Sequence, residues 1–164
     1  MNGRVRKGRK MRKRLIIGMS GASGAPLTIE LLKQLQQYKE IIETHLIVTK
    51  GAEMTLEQET DYTLEQLYDL ADEVHDNYNI GAGPASGSYR TMGMIVIPCS
   101  MKTLAGIVSG YSDNRVLRAA DITLKERRKK ISLPENGLSR YGNLSNNRCL
   151  CWQEYIMIIW KRNS

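Results

Sequence analysis

Cysteine and histidine are scarce in this chain. Among 164 residues there are three cysteines, Cys99, Cys149 and Cys151, and two histidines, His45 and His75. Three cysteines make no disulfide framework, which suits a reducing compartment. Cys149-Leu150-Cys151 is a bare C-x-C with no second pair and no histidine nearby, so it builds no zinc site, and no metal is expected. His45 lies inside an apolar strand pattern, where a hydrogen-bonded structural histidine is expected rather than a ligand. Long apolar runs are missing too: the longest are about six residues, against the roughly 20 that span a bilayer. The charged first residues are not followed by the apolar segment of a secretory signal. These absences predict a soluble, cytoplasmic protein that does not engage a membrane.

Positive charge is present but unevenly placed. The net charge is +7, yet eight of the 24 Lys and Arg residues fall in positions 1–14, which hold no acid. The remainder carries 16 bases against 17 acids. The basicity thus belongs to an arm and not to the body. Such an arm could contact nucleic acid through phosphate neutralisation, but a disordered leader over residues 1–13, or a start at Met11, is the expected reading. Hydrophobic residues at 41% and charged residues at 25% are globular values and suit one domain.

Along the chain, strand and helix patterns alternate. "RLIIGMSGASG" reads as a strand running into a Gly/Ser turn. A helix follows, with Pro26 in its first turn and Leu27, Leu31, Leu32 and Leu35 as its apolar stripe. "IETHLIVTKG" is a second strand, ended by Gly51. Met54 to Ala71 supplies one or two short helices, with Thr63 and Gln66 placed as a capping box. "MGMIVIPCS" is a buried strand stopping at Pro98. Then "SDNRVLRAADITLKERRKK" is a helix capped by Ser112 or Asp113, with Val116, Leu117, Ala120 and Leu124 facing the core. The alternation predicts a parallel sheet covered on both faces.

The loops carry the chemistry. The first, at Gly18 to Gly24, lacks the second glycine of the dinucleotide fingerprint, since Ser20 stands there. The second strand ends in Thr49-Lys50 instead of the acid that would meet a ribose. No Walker A lysine follows either. The second loop, Ser100-Met101-Lys102-Thr103, sets two hydroxyls and an ammonium directly after a buried strand. A third Gly/Ser loop, "PASGS", adds to this. Loops at the carboxyl ends of parallel strands converge on a ligand, here an anion or a polar ring.

Taken together, "GMSGASGA", "SGSY", "IVIPCSMKTLAGIVSGYSDN" and "RAADITLKERRK" resemble the UbiX-type flavin prenyltransferases. That family includes the B subunits of phenolic acid decarboxylase systems, and the similarity runs from Arg12 to Lys129. The resemblance implies an α/β, Rossmann-like or flavodoxin-like three-layer parallel sheet of the homo-oligomeric flavin-containing Cys decarboxylase type, over residues 14–130. It implies transfer of a dimethylallyl group from dimethylallyl phosphate to N5 and C6 of reduced FMN, without a metal. The prenylated FMN would serve a UbiD-type decarboxylase, and the family assembles as dodecamers.

Carried over by motif, Gly21, Ala22 and Ser23 would contact the flavin, with Ser23 near the reacting centre. Thr49, Ser100, Met101, Lys102 and Thr103 would bind FMN as well. Lys125 would help to hold the prenyl phosphate, and Ser88 would approach the site from a neighbouring subunit. Ser23 and Lys125 are thus the expected catalytic residues. A non-catalytic FMN-binding accessory subunit is the alternative.

The resemblance stops at Lys130. "KKISLPENG" shows neither the apolar strand nor the Arg-Glu pair that the family places next. Residues 131–164 read as an atypical tail, expected to stem from a shifted reading frame and to lack the fifth strand and the closing helix.

Overall fold

The computed structural model describes residues 11–79 and 83–134. Five strands, β1 (Lys13–Met19), β2 (Ile42–Val48), β3 (Glu73–His75), β4 (Gly93–Cys99) and β5 (Lys129–Pro134), form one parallel sheet in the order β3-β2-β1-β4-β5. Five helices connect them: α1 (Ala25–Leu35), α2 (Lys50–Glu59), α3 (Leu64–Tyr68), α4 (Met101–Ser109) and α5 (Arg115–Lys125).

The central strands are apolar without alternation because both of their faces are covered. Leu15, Ile17 and Met19 of β1 pack with Leu46 and Val48 of β2 against Ala25, Ile29 and Leu32 of α1 and Ala52 and Leu56 of α2. On the other face Ile16, Ile47, Met94 and Val96 meet Leu104 and Ile107 of α4 and Val116, Leu117 and Ala120 of α5. The result is the three-layer α/β arrangement. Full burial of each Leu, Ile, Val or Met among them contributes about 1.5–3 kcal/mol. Gly18 leaves room for α5: a Cβ there would lie 3.2 Å from the Val116 side chain.

Several local expectations are corrected. Gly51 does not end β2; it lies in the first turn of α2, which Thr49 caps by accepting the Ala52 N–H at 3.2 Å. The cap of α5 is Asn114, not Ser112 or Asp113, and its side chain accepts the Leu117 N–H. In α1 the inward stripe is Ala25, Thr28, Ile29 and Leu32, whereas Leu27 is half exposed. β4 continues through Pro98 to Cys99.

The largest correction concerns the fifth strand. β5 is present and pairs with β4 from Gly93–Lys129 onward. It is the last strand in the order, and among its described side chains Ser132 is buried between the half-buried Ile131 and Leu133, so a continuous apolar run was not needed. Residues 135–164, on which the expected lack of a closing helix falls, and residues 1–10 lie outside the described residues. The Thr63–Gln66 capping box forms as expected. Among the described residues no helix is long and apolar enough to cross a membrane.

Candidate functional site

In a parallel sheet all strands end at one edge, and three loops meet there. The Ser20 hydroxyl donates to the Pro98 carbonyl at 2.9 Å and accepts the Ser100 N–H at 2.7 Å, tying the end of β1 to the end of β4. Thr49 N–H donates to the Met19 carbonyl at 3.0 Å, which ties in the end of β2. Gly21 and Gly51 touch through their backbones: a Cβ on Gly21 would lie 2.8 Å from the Gly51 Cα. Gly21, Ala22, Ser23, Thr49, Ser100, Met101, Lys102 and Thr103 are thereby brought to one edge, as the sequence suggests.

Not all of them point outward for a ligand. Ser100 caps α4, accepting the Thr103 N–H at 3.2 Å and donating to the Thr103 hydroxyl at 3.0 Å. Ser20 and Ala22 are buried. Ser23 and Lys102 are exposed, and Thr49 and Met101 are partly so. The first-turn N–H groups of α2 at Lys50 and Gly51 have no partner within the helix and sit at its positive end, a place suited to phosphate.

The N-terminus of α1 differs, because an anion of the chain itself fills it. Glu59, at the end of α2, accepts the Ser23 hydroxyl at 2.6 Å through Oε1. Its Oε2 accepts the Gly24 and Ala25 N–H groups at 2.9 Å each. The Ser23 hydroxyl and these two amides hold the Glu59 carboxyl below its ordinary value. The opening Gly/Ser loop is therefore closed to phosphate at positions 24 and 25. Sequence reasoning missed Glu59, since its partners lie 34 to 36 residues away and no local pattern marks it.

Lys125 and Ser88 are not at this edge. The end of α5 connects through residues 126–128 to Lys129, which pairs with Gly93 where β4 begins. Exposed Lys125 thus sits where the strands start. The Ser88 hydroxyl bonds Ser86 at 2.9 Å, and the next residue, Tyr89, has its carbonyl held by Arg128 at 2.7 Å. Met92 N–H donates to the Arg14 carbonyl, so this loop also lies by the strand starts. A depression of about 850 Å³ there, rimmed by Arg12, Arg14, Lys39 and Arg90 with Glu40 and Glu43, is likewise remote from Ser23.

A polar core runs beside β2. His45, fully buried, meets Glu43 through Nε2 at 2.9 Å and His75 Nε2 through Nδ1 at 2.8 Å. The Tyr89 hydroxyl lies 2.9 and 3.2 Å from the two ring nitrogens of His45, over the ring face. Burial pulls both histidines below their ordinary value, with Glu43 opposing it at His45. His45, Glu73 and His75 place ligand-type atoms within 4.8 Å of one another. The two rings are nearly coplanar with centroids 5.1 Å apart, so their nitrogens face head-on, the geometry of a shared proton. His45 is buried and hydrogen-bonded through both ring nitrogens, as its strand context implies.

Comparison with known proteins gives the family of the chain. Residues 4–148 match the Flavoprotein family. A probable UbiX-like flavin prenyltransferase of Sedimentibacter hydroxybenzoicus is 52% identical over 121 residues, 74% of this chain and 64% of the relative. The crystal structure of AnUbiX (PadA1) in complex with FMN and dimethylallyl pyrophosphate superposes with a TM-score of 0.75 at 46% identity, over 79% of this chain and 69% of that one. A dodecameric FMN-dependent UbiX-like decarboxylase from Escherichia coli O157:H7 gives 0.73 at 52% identity, over 77% and 69%. The chain therefore belongs to the Flavoprotein family, and within it to the UbiX-type members. It spans somewhat under two thirds of the length of the Sedimentibacter relative.

Proposed function

We propose that this protein is a flavin prenyltransferase that moves a dimethylallyl group from dimethylallyl phosphate to reduced FMN, for use by a UbiD-type aromatic acid decarboxylase. The observation that carries the reading is the Ser23–Glu59 pair, set where the loops after β1, β2 and β4 meet. The donor set fits FMN: hydroxyls at Ser23 and Thr49, ammoniums at Lys50 and Lys102, and the open amides of α2 suit a phosphate and a polar ring. When bound, reduced FMN supplies the nucleophilic ring atoms that accept the prenyl group.

The side chains of this chain do the rest. Ser23 Oγ, polarised by the carboxylate of Glu59, can hold or pass a proton at the flavin edge. Thr49 and the first turn of α2 hold an anionic phosphate. The Gly21–Gly51 contact keeps the loops after β1 and β2 close together, and the flavin face with a neighbouring copy shields a carbocation-like prenyl fragment from water.

Lys125 and Ser88 share the far edge of the sheet, so they act in this scheme on the site of a neighbouring copy. The functional unit is accordingly a homo-oligomer, working in the cytoplasm. A leaving phosphate at such an interface would be stabilised by the Lys125 ammonium. The separation of Lys125 from Ser23 also favours a second reading, an FMN-binding accessory subunit that does not transfer a prenyl group.

Purified protein is expected to be yellow under both readings. Anaerobic incubation with reduced FMN and dimethylallyl phosphate separates them. The altered flavin absorbance of a prenylated product supports the transferase, and an unchanged flavin spectrum supports the accessory role.

A further inference from the structure

The first residue of α5 is a buried cation. Arg115 retains 4% of its accessible surface, and its Nε is buried with no hydrogen-bond partner among the described residues. None of the ion pairs among those residues involves it. The amides around it are already used. Arg115 N–H donates to the Asn77 carbonyl at 2.8 Å, Val116 N–H to Asn77 Oδ1 at 3.2 Å and Leu117 N–H to Asn114 Oδ1 at 3.0 Å. What remains unmatched is the buried Nε of the guanidinium.

Its surroundings raise the demand for negative charge. The group sits at the positive end of an 11-residue helix, where a cation is disfavoured. It faces the end of β3 and adds its charge to the environment of His75. Burial acts against the charged form, and Asp76 is the acid that opposes it. Asp76 is itself engaged, accepting the Tyr78 N–H at 2.9 Å. A guanidinium stays charged at any working pH, and a buried charge without a partner is heavily penalised. Its planar fork of donors matches the oxygens of phosphate.

We propose that the start of α5, where it meets the end of β3, binds a phosphate-class oxyanion through the Arg115 guanidinium. The oxyanion is free phosphate or the phosphate of a bound nucleotide. The inference stands apart from prenyl transfer and holds whether or not the chain is a transferase.

The test is thermal unfolding of the full chain in chloride buffer, with and without inorganic phosphate, beside Arg115→Met and Arg115→Lys. Saturating phosphate should raise the wild-type midpoint by about 3 °C. Arg115→Met should lose that rise and unfold in chloride no earlier than wild type, because an apolar side chain relieves a lone buried charge. Arg115→Lys should keep part of the rise.

An equal rise in Arg115→Met would overturn the proposal. So would a lower midpoint of that variant in chloride, which would mean the guanidinium already has a partner. FMN titration by flavin fluorescence identifies the source. Unchanged affinity in Arg115→Met assigns the site to free phosphate, and a tenfold loss assigns it to the flavin phosphate.

Discussion

Glu59 accepts the Ser23 hydroxyl at 2.6 Å, and its other oxygen takes the amides of Gly24 and Ala25. One carboxylate thus both caps α1 and polarises the serine that the family resemblance sets near the reacting flavin. The two roles are separable by substitution. Glu59→Gln keeps an oxygen for the loop but loses the charge. It should lower the rate of FMN prenylation by about 10²-fold, the scale of a lost acid–base partner. Stability should fall by only about 1 kcal/mol, as for a weakened helix cap. Single-turnover kinetics beside urea unfolding will read both. A variant that unfolds early yet keeps its rate would reduce Glu59 to a cap.

The buried histidines set an acid limit. His45 and His75 are held neutral by burial, so the unfolded chain binds protons more readily than the folded one as pH drops. Their contribution to stability is complete above the ordinary value of 6.5 and declines as pH falls below it, towards their depressed folded values. Glu59 works in the same direction further down. Its depressed carboxyl contributes above its ordinary value of 4.5 and is lost as pH falls through the folded one. Urea midpoints should therefore fall in two stages, one beginning near 6.5 and one near 4.5. His75→Gln should flatten the first stage and leave the second, and an unchanged first stage would assign it elsewhere.

Gly21 has no room for a side chain. A Cβ would lie 2.8 Å from the Gly51 backbone, which cannot swing aside as a flexible side chain could. Gly21→Ala should push apart the loops after β1 and β2. FMN affinity should drop at least tenfold, with a stability loss of roughly 1–3 kcal/mol from overpacking. Gly87→Ala is the matching control, since a Cβ there meets nothing within 4 Å. Equal FMN affinity in Gly21→Ala and wild type would show that the loop contact does not shape the site.

What could be read from the sequence was local. The Thr63 capping box, Pro26 in the first turn of α1 and the apolar runs of β1, β2 and β4 each declare themselves within a few residues, and they form. The convergence of the loops followed from parallel topology alone. Two features escaped for opposite reasons. The Ser23–Glu59 pair bridges 36 residues with no spacing rule to announce it. β5 was hidden because an outer strand presents little to the core: "KKISLP" pairs through its backbone, and among its described side chains Ser132 is the buried one. Ser100 was legible as a strand-end hydroxyl. Its bonds to Thr103 spend it on capping α4.

The placement of Lys125 yields a test of assembly. Ser23 lies where the strands end and Lys125 where they begin, so one copy cannot bring both to one ligand without rearranging the sheet between them. If each site joins Ser23 of one copy with Lys125 of another, Ser23→Ala and Lys125→Ala should each be inactive as pure samples. Unfolding both together in urea and refolding the mixture should restore sites that carry neither substitution. At equal proportions about one site in four is then intact, the random-pairing limit for an interface that draws one residue from each partner. The double variant mixed with either single variant regains nothing, because no intact pairing exists. Recovery near a quarter of wild-type prenylation supports a shared site. If the refolded mixture of single variants stays inactive while refolded wild type is active, Lys125 and Ser23 do not act across an interface.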